Sequence, residues 1–164
     1  MSTVEAGLTR DEGAAIAALV ADVPEPRAAA IDALRFLQAR RGWIDDEALA
    51  SLAAALRMSV AALDEVATFY NLIFQQPVGE TVILLCDSVT CWMMGRDALQ
   101  ARIGTRLGIR PGETTADGKF TLLPIVCLGA CDNAPALMMG GMLHGGVDAV
   151  RLDALLDDVG RGDG

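Results

Sequence analysis

The chain has four cysteines, and they come as two close pairs. Cys86 and Cys91 bracket Asp-Ser-Val-Thr in a C-x₄-C, and Cys127 and Cys131 bracket Leu-Gly-Ala in a C-x₃-C. Thiolates are soft donors that suit zinc and iron–sulfur clusters. Two loops that each deliver two thiolates supply one pair per iron for a [2Fe–2S] cluster. Three other readings compete. A structural zinc site with four Cys is the nearest, but zinc knuckles favour C-x₂-C and staple folds too small to stand alone. Redox-active disulfides favour C-x-x-C at the start of a helix, and neither pair has that spacing. Four inert core cysteines have no reason to pair along the chain. Spacing therefore ranks the cluster first, zinc second and the others behind.

The neighbours of the cysteines fit a cluster loop. Gly129 and Ala130 are small enough to let backbone N–H groups turn toward sulfur, which raises a cluster's potential; an ordinary turn glycine is the plainer reading of Gly129. Trp92, Met93 and Met94 follow Cys91 and read as core or interface residues before they read as a cluster shield. His144, the one histidine, is on a hairpin; it could support the site from behind the ligands or belong to a docking face, but a lone His there is more often neither. No G-x-G-x-x-G separates a strand from a helix, so a nicotinamide or flavin fingerprint is missing. Gly140-Gly141-Met142-Leu143-His144-Gly145-Gly146 is glycine-rich but has no phosphate-binding helix after it. No catalytic set of side chains stands out. A cluster without a substrate site is a one-electron relay that works beside a partner handling electron pairs.

Strands and helices must hold these loops. Thr81–Leu85 is a short β-branched, apolar run, the pattern of a buried strand that ends at Cys86. A helix over Asp97–Leu107 turns Leu99, Ile103 and Leu107 inward and stops at Gly108. Asp117-Gly118 is a tight turn. A second strand, Phe120–Val126, leads to Cys127, and Pro124 places it at an edge or bulge. Residues 136–144 form a hairpin about Gly140-Gly141. Asp148 caps a last helix, with Leu152, Leu155 and Leu156 inside and Val147 as a staple. The order β-α-β-β-β-α predicts a small open sheet covered by two helices, a thioredoxin-like layout. The first half is all helix. Thr9 and Glu12 form a capping box ahead of Ile16, Leu19, Val20 and Val23. Pro26 opens a second helix, with Ile31, Leu34 and Leu37 buried, Phe36 beside them and Gly42 at the stop. Asp45 and Ser59 cap two more, with Leu49, Leu52 and Leu56, then Leu63, Val66 and Ala67, inside. The joint falls at Gln76-Pro77-Val78-Gly79, so residues 1–75 form an N-terminal helical region and residues 76–164 a second domain, an α+β chain overall.

Composition narrows the function. A chain of 164 residues with 52% apolar residues builds its own core without disulfide staples. The formal net charge is −9. Residues 1–75 carry 11 acidic and 6 basic side chains, residues 76–164 carry 11 and 7, so neither half is a basic surface for phosphate backbones. Nucleic acid and direct insertion into membrane are both disfavoured, since no apolar run nears 18 residues. The N-terminus lacks a basic region and an apolar stretch, so it does not read as a secretory signal. In a reducing cytoplasm, four cysteines are ligands or reactive thiols sooner than structural disulfides.

Several stretches together resemble one family. They are Glu25-Pro26-Arg27-Ala28-Ala29, Gln38-Ala39-Arg40-Arg41-Gly42-Trp43, Val66-Ala67-Thr68-Phe69-Tyr70 with Phe74, Gln76-Pro77-Val78-Gly79 and Cys86-Asp87-Ser88. Arg110–Thr115, Asp117–Pro124 and Cys127-Leu128-Gly129-Ala130-Cys131-Asp132 with Pro135 continue the likeness. Across roughly residues 24–156 the chain resembles the thioredoxin-like [2Fe–2S] subunit, the E-subunit family, of bacterial NADH:quinone oxidoreductase, respiratory complex I. The resemblance implies an N-terminal helical bundle followed by a thioredoxin-like [2Fe–2S] ferredoxin domain. It carries the ligand role onto Cys86, Cys91, Cys127 and Cys131. It implies a partner subunit that binds NADH and FMN, a second iron–sulfur subunit in the peripheral arm, and a cytoplasmic place beside the inner membrane held through the complex. The chain would be an electron-transfer subunit with no catalysis of its own, its cluster near the flavin but off the main wire to quinone. NAD-linked formate dehydrogenases and hydrogenases carry equivalent subunits. A non-redox structural subunit holding zinc is the remaining alternative. Trp92 stands where relatives have His or a smaller polar residue, and His144 near where many have Tyr.

Overall fold

The computed structural model describes residues 7–161. The N-terminal stretch Met1–Ala6, which does not read as a secretory signal, and the end of the Gly/Asp-rich tail, residues 162–164, lie outside the described residues. The chain divides into two compact units, Met1–Pro77 and Val78–Gly164.

The first unit is helical. α1 (Arg10–Ala21) starts on a complete capping box: the Thr9 hydroxyl accepts from the Glu12 N–H, and the Glu12 carboxylate accepts from the Thr9 N–H. Pro26–Ala29 forms a 3₁₀ turn that runs into α2 (Ala30–Arg41). The helix expected from Pro26 therefore becomes α-helical only at Ala30. Its buried face is Ala30, Ala33, Leu34 and Leu37, and Ile31 is only half-buried. α2 ends at Gly42, whose φ of 83° suits a residue without Cβ. The Asp45 and Ser59 side chains cap α3 (Asp46–Ala55) and α4 (Val60–Phe69) by accepting from Ala48 N–H and Ala62 N–H. Ile16, Leu34, Leu37, Leu52, Leu56 and Leu63 fill the core between these helices.

The second unit is an α+β layer. β1 (Thr81–Cys86) is the inner strand of a four-stranded sheet with order β2-β1-β3-β4. Its near-continuous apolar sequence matches a strand buried on both faces. β2 (Phe120–Ile125) pairs with it in parallel and forms one edge, with Pro124 opposite Leu85. An edge tolerates the missing N–H of proline. β3 (Leu137–Met139) pairs antiparallel with β1, and β4 (Met142–His144) with β3 across the two-residue turn Gly140-Gly141. A short helix unmarked by sequence periodicity, α5 (Val89–Met93), follows β1. α6 (Arg96–Leu107) and α7 (Ala149–Arg161) supply Leu99, Ile103, Leu152 and Leu156 to the core. Arg102 and Arg106 of α6 pair with Asp153 and Asp157 of α7. Among the described residues no helix is long and apolar enough to cross a membrane.

Candidate metal centre

Parallel register places the two cysteine loops side by side. Cys86 is the last residue of β1 and lies opposite Ile125, the last of β2, so Cys127 follows two residues beyond the neighbouring strand end. Carboxyl ends of parallel strands are where open α/β sheets place their ligands.

Backbone bonds fix the first loop. The Cys86 N–H donates to Ala136 O at 3.1 Å, and the Asp87 N–H to Ile125 O at 2.7 Å. Ser88 then caps α5, accepting from the Cys91 N–H at 3.5 Å, while its hydroxyl also stands 3.5 Å from Cys86 Sγ. α5 therefore brings Cys91 back toward Cys86, and both thiols are buried in a small cluster with Ala136. Arg96 ties Asp87 from the start of α6.

The second pair is exposed. Cys127 and Cys131 have Sγ atoms 3.6 Å apart. The Gly129 N–H donates to Cys127 Sγ at 3.4 Å, with Gly129 at φ 78°. This is the donation toward sulfur expected from a small residue there. Cys131 opens a 3₁₀ turn, Cys131–Asn133. That turn rests on the glycine-rich segment: Gly146 N–H donates to Asn133 O at 2.6 Å, and a Cβ at Gly145 or Gly146 would stand 2.8 or 2.6 Å from Asn133 atoms. Gly145 and Gly146 are thus small so that the Cys131–Asn133 turn can pack on them.

The two loops meet electrostatically. Burial pushes the Cys86 thiol up, but hydrogen bonds from the Ser88 side chain, the Leu128 and Ser88 backbone and Cys91 outweigh it and bring it below its ordinary value. Cys91 is raised by burial first, against the Ser88 hydroxyl and the Ala136 backbone. Cys131 is raised chiefly by Cys127, with Cys91 adding to the repulsion and Thr90 opposing it. Leu128 of the second loop acts on Cys86, and Thr90 and Cys91 of the first act on Cys131, so each loop feels the other.

The exposed pair is spaced to hold one tetrahedral metal between its two sulfurs. Two thiolates held at about 2.3 Å on one tetrahedral metal stand ~3.8 Å apart, close to the 3.6 Å between Cys127 and Cys131. Among the described residues no three His, Cys, Asp or Glu side chains are gathered into a closed metal site. His144 lies on β4, opposite Leu137 and half-buried. Trp92, Met93 and Met94 are 57%, 73% and 59% exposed, so they do not belong to the core. Val89 and Val126 beside the cysteines are also exposed. Ser88, Leu128 and Ala136 emerge here as sulfur partners. Only Ser88 has a sequence signal, its place three residues before Cys91 as a helix cap.

Comparison with known proteins bears on the same residues. The family model described as thioredoxin-like [2Fe-2S] ferredoxin matches residues 16–160. The NADH-quinone oxidoreductase E subunit of Pseudomonas aeruginosa is 46% identical over 133 residues, 81% of this chain and 80% of that protein. The E subunit of the Escherichia coli K12 enzyme is 44% identical over the same shares. Among solved structures, a chain of the air-oxidized NAD+-reducing [NiFe]-hydrogenase superposes with a TM-score of 0.71 at 29% identity, covering 83% of this chain. The match spans 23% of that hydrogenase chain.

Proposed function

This chain belongs to the thioredoxin-like [2Fe-2S] ferredoxin family of NADH-quinone oxidoreductase E subunits, and on that basis we propose that Cys86, Cys91, Cys127 and Cys131 hold its [2Fe–2S] cluster beside a flavin-bearing partner. The observation that carries the reading is the meeting of a buried Cys86–Cys91 pair with an exposed Cys127–Cys131 pair at adjacent strand ends.

When bound, the cluster supplies exchange of single electrons. The chain's own residues set the terms. Ser88, Leu128, Ala136 and Gly129 direct hydrogen bonds at sulfur, which offset the negative charge gathered there. Cys86 and Cys91 close one side to water, and Cys127 and Cys131 leave the other open to a partner. Flanking Cys91 and Cys127 along the chain, Val89, Trp92, Met93, Met94 and Val126 are exposed apolar side chains. Apolar and aromatic residues of this kind form the buried centres of protein interfaces. A protein surface that brings FMN within electron-transfer reach is the occupant that fits, with NADH oxidised there and not on this chain. The parent assembly is NADH-quinone oxidoreductase, whose second iron–sulfur subunit completes the peripheral arm. Identity of 46% to an E subunit of that enzyme, against 29% to the hydrogenase chain, favours that assembly.

Metal analysis of the anaerobically purified chain tests the assignment. Iron and acid-labile sulfide should each come to about two per chain. One zinc per chain without labile sulfide overturns it. Subunits that co-purify identify the parent complex.

A further inference from the structure

We propose that Cys127 and Cys131 close into a disulfide when the chain carries no cluster, and that this bond shuts the site to loading until it is reduced. The bond itself needs only the geometry of the exposed pair. Its effect on loading rests on the cluster reading.

The two pairs differ in what a solution oxidant reaches. Cys86 and Cys91 are 2% and 1% exposed, one inside the sheet and the other on the inner side of α5. Cys127 and Cys131 are both exposed, and their sulfurs already stand 3.6 Å apart. A disulfide spans about 2.05 Å, so the sulfurs must approach by roughly 1.5 Å. The intervening Leu-Gly-Ala is neither helix nor strand, and open space surrounds the Cβ position of Gly129. That segment has room for the shift.

The oxidant is a low-molecular-weight disulfide. The thiolate of one cysteine attacks it, forms a mixed disulfide and releases one small thiolate. The second cysteine gives up its proton, attacks the protein sulfur of that mixed bond and releases the second small thiolate. Two cysteine thiols become one cystine, one small disulfide is reduced to two thiols, and the two protons pass to them. Excess dithiol reverses the sequence. The closed form has lost both thiolates of one pair, so one iron has no protein ligands.

The test uses the full-length chain prepared without cluster, treated with oxidised glutathione and alkylated before and after reduction. Peptide mapping should find a Cys127–Cys131 cross-link, the mass of two hydrogens lost, and Cys86 and Cys91 alkylated only after denaturation. Cys131→Ser should instead retain a glutathione adduct on Cys127. Cluster-loaded chain should resist the treatment. Stable glutathione adducts on the wild-type pair without a cross-link, or a cross-link that includes Cys86 or Cys91, overturns the disulfide. Loading is then measured by transfer from a [2Fe–2S] donor protein, without free thiol or sulfide, and followed by visible absorption. Oxidised chain should take up at least tenfold less cluster than the dithiothreitol-treated, desalted chain. Equal uptake by both overturns the gate. No uptake by either overturns the cluster reading and the gate with it, while a mapped cross-link still stands.

Discussion

Ser88 serves two roles within one turn of chain. Its hydroxyl caps α5 at the Cys91 N–H and also reaches Cys86 Sγ. Ser88→Ala removes both contacts. Loss of an N-cap costs about 1 kcal/mol, so the melting temperature should fall by a few degrees. Loss of a hydrogen bond to ligand sulfur leaves added negative charge less compensated, so an EPR-monitored redox titration should place the variant's midpoint below wild type. An unchanged midpoint would mean that the Ser88 contact with Cys86 does not persist when metal is bound. Cys127→Ser should diminish cluster content or move its potential strongly, because a harder oxygen replaces a soft thiolate. His144→Ala should leave the EPR signal in place, since His144 sits on β4 opposite Leu137. An unaltered signal in the Cys127 variant counts against its ligand role. At this scale the pairing of the cysteines is legible in the sequence, because the two members of each pair lie on one short loop. Leu128 and Ala136 are not, because their contribution is a backbone group whose aim depends on where the second strand and the third bring their loops.

Most elements announce themselves through their ends. Thr9, Asp45, Ser59 and Asp148 read as caps in the sequence, and each accepts a backbone N–H from three residues on. Capping is a local interaction, so local sequence reveals it. α5 escapes sequence reading because five residues are too few for a hydrophobic period, and because its outer face is apolar. The expectation that Ile31 is buried fails because Ala30, Ala33, Leu34 and Leu37 form the i, i+3, i+4, i+7 stripe that faces the core, which leaves Ile31 at its margin. A tertiary bond that no pattern signals joins α1 to α2. Arg41 donates to Glu12 Oε1 at 2.8 Å, to Glu12 Oε2 at 2.5 Å and to Gly7 O at 2.6 Å, and both side chains are under 10% exposed. The Arg41 guanidinium, against burial that works the other way, holds the Glu12 carboxyl down from 4.5 to about 2. Because the folded value lies below the unfolded one, the stabilisation is full above about pH 4.5 and is lost as pH falls toward 2. The shift corresponds to stability on the order of 3 kcal/mol. Glu12→Gln should therefore be destabilised at neutral pH, with the difference from wild type shrinking below pH 4. Chemical denaturation at both pH values checks it, and a gap that stays constant would remove Glu12 titration as the cause.

Each unit of the molecule has its own core, one built around Leu34, Leu37, Leu52 and Leu63 and the other around Ile83, Ile103, Leu122 and Leu137. The sequence has no dinucleotide fingerprint, and β1 leads into a cysteine loop where a nucleotide-binding unit would place its glycines. The isolated chain should consequently leave NADH unoxidised, while the same chain assembled with a flavin-bearing partner should be reducible by NADH, because a flavin accepts the hydride pair and passes electrons singly. Charge sets how far that reduction goes. A four-thiolate centre is dianionic before it gains an electron, and plant-type centres with the same ligands titrate at about −400 mV. Here the surrounding chain has a formal net charge of −9, which makes each further negative charge harder to add. Hydrogen bonds from Ser88, Leu128, Ala136 and Gly129 act the other way, but they are short-ranged and few. Cys127 and Cys131 are open to water in the free chain, and a partner seated on the exposed apolar residues would cover them and withdraw solvation from the reduced form. The midpoint should thus be low in the isolated chain and lower still in the complex unless the partner contributes donors or cations of its own. NADH would then reduce the centre only in part at equilibrium, the behaviour of a side reservoir more than of a wire. EPR-monitored titration of the chain alone and of the complex measures both midpoints. Reduction of the isolated chain by NADH would overturn the relay assignment, and a midpoint well above that of NADH in the complex would overturn the reservoir while leaving the centre itself intact.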